Sequence, residues 1–334
     1  MAYILLIYIL PTNELSVTTA SYNASQKMAK AISVIRDYLA ENNTTINKKI
    51  DPNLTGLIGR RQTSLTTSLG HLQAKRTTTN PNFAGLIVHL LSKAGVQKGD
   101  KVAIGSSASF PGLMIATVCA AEAIGAEPII ILSLGSSSYG ANHPDFNLLH
   151  MYEILLQEGI FSYKPSAVSL GGEDDAGKNM DNQLKQTLIN QIQESNLSFI
   201  FENDLRKSVQ KRLRIYKMKA GTEKIDIFIN CGGSVANLGT SSLILKVKPG
   251  LIKNMKLPEK NKRGVLFEMA SKEIPCIHLL YIQGLIQNYN LEWDPIPLPE
   301  PRGYSPIKRK NGTYILTLII GLFYIIIIGI ICYK

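Results

Sequence analysis

Three short stretches of the chain concentrate glycine, serine and asparagine: residues 105–112 (GSSASFPG), 133–142 (SLGSSSYGAN) and 231–239 (CGGSVANLG). Small side chains let backbone amides approach a ligand closely, and Ser107, Ser109, Ser137, Asn142, Gly232, Gly233 and Ser234 are the candidate contacts. Such donors suit a carboxylate or a phosphate where a loop feeds a helix N-terminus. The plainer reading is that glycine and serine merely permit tight turns. None of the three matches the dinucleotide fingerprint G-x-G-x-x-G or the phosphate loop G-x-x-x-x-G-K-[ST], so no nucleotide cofactor is expected.

Three further groups carry chemical options. Ser109 stands where a strand would hand over to a helix, the place of a nucleophilic serine, but it lacks the flanking glycines of G-x-S-x-G, and His71, His89, His143, His150 and His278 are scattered. Lys75 and Arg76, beside Thr77 and Asn80, form a candidate carboxylate clamp, since an arginine fork pairs with a carboxylate. The competing reading is a solvated loop with Asn80 capping the next helix. The acidic loop Gly171 to Lys178 offers Asp174 and Asp175 as weak catalytic or metal-binding candidates, although flexible acidic loops are most often just solvated. Cys119, Cys231, Cys276 and Cys332 form no C-x-x-C pair, and no metal cofactor is expected.

These groups need elements to hold them. Apolar runs at Asp100–Ile104, Pro128–Leu132 and Ile225–Asn230 read as strands, each followed by one of the loops, and in the first two by helical spacing after it. Continuous apolar strands alternating with helices predict an α/β fold: a mostly parallel sheet with helices on both faces, in three layers. Further helices are predicted over 23–41, from Asn82 to Gly95, over 144–158, 183–195 and 204–219, and a final one around 277–287. In the 204–219 helix Leu205, Val209, Leu213 and Tyr216 read as the buried stripe, with Arg206, Lys207, Lys211, Arg212, Arg214, Lys217 and Lys219 crowding the rest.

The chain divides into a short apolar segment (1–22), the α/β domain (23–290), a proline-rich basic linker (291–310) read as a stiff spacer, and residues 311–334. In the last part Thr313–Tyr333 is apolar and uncharged, and roughly 20 such residues match a bilayer, so a C-terminal transmembrane helix is expected. Tyr3–Leu10 is about half that length and reads as a clipped membrane helix, an interfacial foot or a strand. A single-pass or two-pass protein of the cell membrane follows, and Lys308, Arg309 and Lys310 favour the cytoplasmic side for the domain. The formal net charge of +11 implies a polyanionic partner. Nucleic acid is disfavoured, because aromatic residues are not interleaved with the basic ones.

The succession DPNLTGLIG (51–59), TTSLGHLQAKRTTTNPNFAGL (66–86), GSSASFPGL (105–113), GSSSYGAN (135–142) and GGEDDAG (171–177) resembles the poly-gamma-glutamate system protein family. The family pattern carries an acidic residue after GLIG, whereas this chain has Arg60 and Arg61. The resemblance implies a membrane-anchored accessory protein of poly-gamma-glutamate synthesis or export, as a capsule or a secreted polymer. Its partners would be poly-gamma-glutamate, the synthase ligase and membrane subunits, and the lipid bilayer. The alternative it leaves open is a hydrolase or transferase acting on gamma-glutamyl bonds.

Overall fold

A computed structural model describes residues 18–306. The expected membrane helix and the apolar N-terminal run lie outside the described residues. Among those described, no helix is long and apolar enough to cross a membrane.

Seven strands form the main sheet: β2 (Lys101–Ser107), β3 (Glu127–Ser133), β7 (Ala167–Ser169), β8 (Ser198–Ile200), β9 (Ile227–Cys231), β10 (Gly250–Ile252) and β11 (Cys276–His278). Their spatial order is β10-β11-β9-β2-β3-β7-β8, with every neighbouring pair parallel except the edge pair β10 and β11. The α/β expectation holds. The strands carry apolar residues on both faces because successive side chains point to opposite sides. Val102, Ile104, Ile130, Leu132, Ile227 and Ile229 join one core, and Ala103, Ile129, Ile131 and Phe228 join the other.

Helices α1 (Thr19–Glu41), α3 (Asn82–Ala94), α4 (Pro111–Ala123), α5 (Leu148–Gln157) and α6 (Asn182–Glu194) contribute to the first core. Helices α7 (Leu205–Ala220), α8 (Val235–Leu238) and α9 (Val265–Ala270) cover the opposite face. Helix α4 is made of small and aliphatic residues that are buried on every side from Pro111 to Ala121, because it lies beneath α1 and α3. Polar side chains start several helices: Thr18, Asn147, Asp181 and Asp204 each accept from a first-turn amide.

Two expectations are corrected. The final helix begins at Ile282 (α10, Ile282–Tyr289), and Cys276–His278 is a strand buried on both faces, an apolar run too short for its periodicity to tell the two apart. The proline-rich stretch is no free spacer up to Tyr304. Asp294 pairs with Arg76, Asn53 Nδ2 donates to the Pro295 carbonyl at 2.8 Å, and Asn82 holds Glu300, Arg302 and Gly303. Tyr304 is buried between α1 and α3, with its amide 2.8 Å from Ser21 Oγ.

Candidate functional site

The helix that follows β2 packs on one face of the sheet and the helix that follows β9 on the other, although β2 and β9 are neighbours. The connecting loops therefore diverge at the carboxyl ends of these strands. That is where open α/β sheets bind ligands. A cleft of about 230 Å³ lies along this edge, lined by Ser109, Ser133, Gly135, Gly171, Gly172, Gly233 and Ser234, with Glu173 and Asn179 beside them. Thr67 and Ser68 of β1 (Thr66–Ser68) and Val235 complete the lining. Strand β1 reaches the cleft by pairing in parallel with β4 (Ser136–Ser137), so the long polar stretch after Asp51 folds over the strand ends. Gly135 and Gly172 touch so closely that a Cβ on Gly135 would stand 2.4 Å from Gly172 N.

A larger cavity of about 570 Å³ lies near the opposite edge, lined by Ile225, Asp226 and Pro275 just before β9 and β11 and by Leu213 and Lys217 of α7. No converging serines or loop glycines line it, so the carboxyl-edge cleft is the better candidate.

Beneath the cleft floor sits a buried ion pair. Arg212 and Asp175 have no exposed side-chain surface, and Arg212 Nη2 donates to Asp175 Oδ2 at 2.7 Å and Oδ1 at 2.9 Å. Ser107, Ser133 and Ser169 stand in register on β2, β3 and β7 and so share a face of the sheet. Arg212 Nη2 also donates to Ser133 Oγ at 3.0 Å and to Ser169 Oγ at 2.6 Å. Ser208 Oγ donates to Asp175 Oδ2 at 2.5 Å, and Ser133 Oγ to Ser234 Oγ at 3.3 Å. The network ties α7 to the acidic loop, to β3 and β7, and to the loop after β9.

Lys75, on α2 (Leu72–Thr77), is the second buried cation and is bound quite differently. Its Nζ donates to the Ser109 carbonyl and, at 2.6 Å, to Ser137 Oγ, and it lies 3.5 Å from the centre of the Phe110 ring. Among the described residues no carboxylate faces it, and burial lowers its pKa to about 7. Ser109 Oγ accepts from Ser137 N at 3.0 Å, which joins the loops after β2 and β3 at the same place.

The structure brings together Ser107, Ser109, Ser137, Gly232, Gly233 and Ser234 at the carboxyl edge, where Ser109, Gly233 and Ser234 touch the cleft. It assigns the others to different work. Arg76 is not an open clamp: its guanidinium is engaged by both oxygens of Asp294. Thr77 Oγ1 accepts from Asp294 N at 2.9 Å, Asn80 Oδ1 accepts from Asn82 N at 2.9 Å, and buried Asn142 staples Arg60 and Thr66. Asp175 is consumed by Arg212, while Asp174 pairs with Lys178 at 2.5 Å in the open. Among the described residues no cluster could hold a metal ion.

Sequence reasoning missed Arg212, Ser133 and Ser169. The sequence pattern groups Arg212 with the exposed cations, yet the buried face of α7 runs through Ser208, Val209, Arg212, Ile215 and Tyr216, and Leu213 is only half-buried. The signal was present in the spacing, since Arg212 follows Val209 by three residues and precedes Tyr216 by four. His278, at the end of β11, is buried with Nδ1 3.2 Å from Asn230 Nδ2, and burial lowers its pKa to about 4. It is a neutral core histidine.

No family model matches the chain, and neither does any curated protein or solved structure.

Proposed function

We propose that this protein works at the cell membrane as an accessory component of poly-gamma-glutamate synthesis or export. It holds the polymer, or the synthase subunits that carry it, at the carboxyl-edge cleft. The observation that carries the reading is the convergence of the glycine and serine loops there, where Ser109, Ser234 and the glycines Gly135, Gly171 and Gly233 surround one small opening. A side chain bearing a free carboxylate is an appropriate guest for such donors. The excess of positive charge would steer the polyanion toward the protein.

The second reading, a hydrolase or transferase acting on gamma-glutamyl bonds, is favoured by the Ser137 hydroxyl lying against the Lys75 amine.

Titrating the full 334-residue chain in detergent with poly-gamma-glutamate tests the binding reading. Affinity is expected to fall steeply between low and moderate salt, as exposed cations are screened over roughly 10 Å at 0.1 M. Salt-independent affinity, or equal binding of an uncharged polymer, would remove the polyanion from consideration.

A further inference from the structure

The geometry points to a second, covalent capability: Ser137 and Lys75 form a nucleophile and general-base pair for acyl transfer from a carboxylic ester or amide. It stands whether or not the polymer is the natural ligand. Three observations carry it. The two reactive atoms are 2.6 Å apart, within proton-transfer distance. Among the described residues no counter-ion faces the pair: the groups facing the amine are the Ser109 carbonyl, the Phe110 ring and the Ser137 hydroxyl, and the neighbouring Arg76 is turned to Asp294. Ser137 also adjoins the cleft, since it pairs with the lining residue Ser68 and gives its N–H to the lining residue Ser109, while remaining 6% exposed.

Gly70 closes the pair from above. A Cβ there would stand 3.0 Å from Ser137 Oγ and 3.1 Å from Lys75 Cε, so the backbone crosses both residues at the distance that only glycine permits. The depressed Lys75 pKa, about 7, leaves a free lone pair at neutral pH, and a lysine desolvated in this way serves as a base.

The chemistry balances. Ser137 Oγ attacks the carbonyl carbon of the ester or amide as its proton moves to the neutral Lys75 amine. The C–O or C–N bond to the leaving group then breaks, the ammonium returns the proton to that group, and an ester of Ser137 remains. Water, deprotonated by the same amine, hydrolyses the ester and restores the hydroxyl.

The experiment uses a biotinylated fluorophosphonate on the full chain, which forms a Ser Oγ–P bond and expels fluoride. One adduct is expected, located by peptide mass spectrometry on Ser137. Its rate should rise with pH through about 7 and then level, because the base form of Lys75 predominates above its pKa. Ser137→Ala and Lys75→Met should each lower labelling by roughly 100-fold or more, with Lys75→Met still unfolding cooperatively. No adduct on the native chain, an adduct on Ser109 instead, or Ser137 labelling unchanged in Lys75→Met would overturn the proposal. If Lys75→Met fails to fold, the native pH profile decides, and a rate indifferent to pH around 7 rejects Lys75 as the base. A purely structural lysine would leave the native labelling rate indifferent to pH around 7, and failure of polymer binding would leave these readouts unaffected.

Discussion

Two cations are buried near the same cleft, and the protein treats them in opposite ways. Arg212 is matched by the Asp175 carboxylate and by the hydroxyls of Ser133 and Ser169, whereas Lys75 meets a hydroxyl, a carbonyl and an aromatic face. The reason lies in the proton. A guanidinium stays charged at any ordinary pH, so its burial demands a counter-charge. An amine can shed its proton instead, and burial without an acid pushes it toward doing so. The pairing around Arg212 makes a support, and the missing acid around Lys75 makes a group that titrates near neutrality.

Removing Asp175 should break this contrast most severely. Asp175→Ala leaves Arg212 charged and unpaired, and roughly 3–5 kcal/mol of stability should be lost, read from urea unfolding. A loss under about 1 kcal/mol would mean that the serines alone satisfy the guanidinium.

The pH dependence of Lys75 gives the next largest effect. Its folded pKa, about 7, lies below the ordinary 10.5, so between these values the unfolded chain binds the proton and the folded one does not. Stability from this group is complete above 10.5 and is lost as pH falls to about 7, a span worth up to a few kcal/mol. Lys75→Met should flatten that slope. Unfolding free energies across this range, compared between native and variant chains, check the claim; equal slopes would refute it.

Arg76 sharpens the comparison at its weak end. It neighbours Lys75 but is paired with Asp294 and 14% exposed, so Arg76→Ala should cost about 1 kcal/mol and change polymer affinity less than twofold. A large drop in affinity, measured by the same salt-controlled titration, would return Arg76 to the binding site.

The sheet was legible because each strand spells out its own burial: Ile129, Ile130, Ile131 and Leu132 admit no polar face, and the loops after such strands must gather at one edge. Partnerships were not legible. Nothing within the six residues of α2 says that Lys75 is inside and Arg76 outside, because so short a helix has little periodicity to read. The partners that decide the matter, Ser137 and Asp294, lie 62 and 218 positions away. Arg212 was misread because its charge outweighed its phase, although the phase was correct. The proline-rich stretch likewise showed its stiffness but not the side chains waiting for it at Gln26, Asn53 and Asn82.

Tyr304 and Ser21 clasp one another from near the two ends of the described sequence, the Tyr304 amide to Ser21 Oγ at 2.8 Å and the Ser21 hydroxyl back to the Tyr304 carbonyl at 3.3 Å. Mechanically, this makes the clasp the outermost of the ties that hold the strap, ahead of those at Asn82, Gln26, Asn53 and Arg76. Tension applied at residues 18 and 304 would strain that clasp before any strand of the sheet. When it parts, the strap from Asp294 to Tyr304 peels away, a first extension of roughly 35–40 Å for its eleven residues, and Arg76 loses its partner beside Lys75. Stretching single molecules between these positions should register that small step ahead of the main rupture; a sheet that gives way in one event would show that the strap bears no separate load.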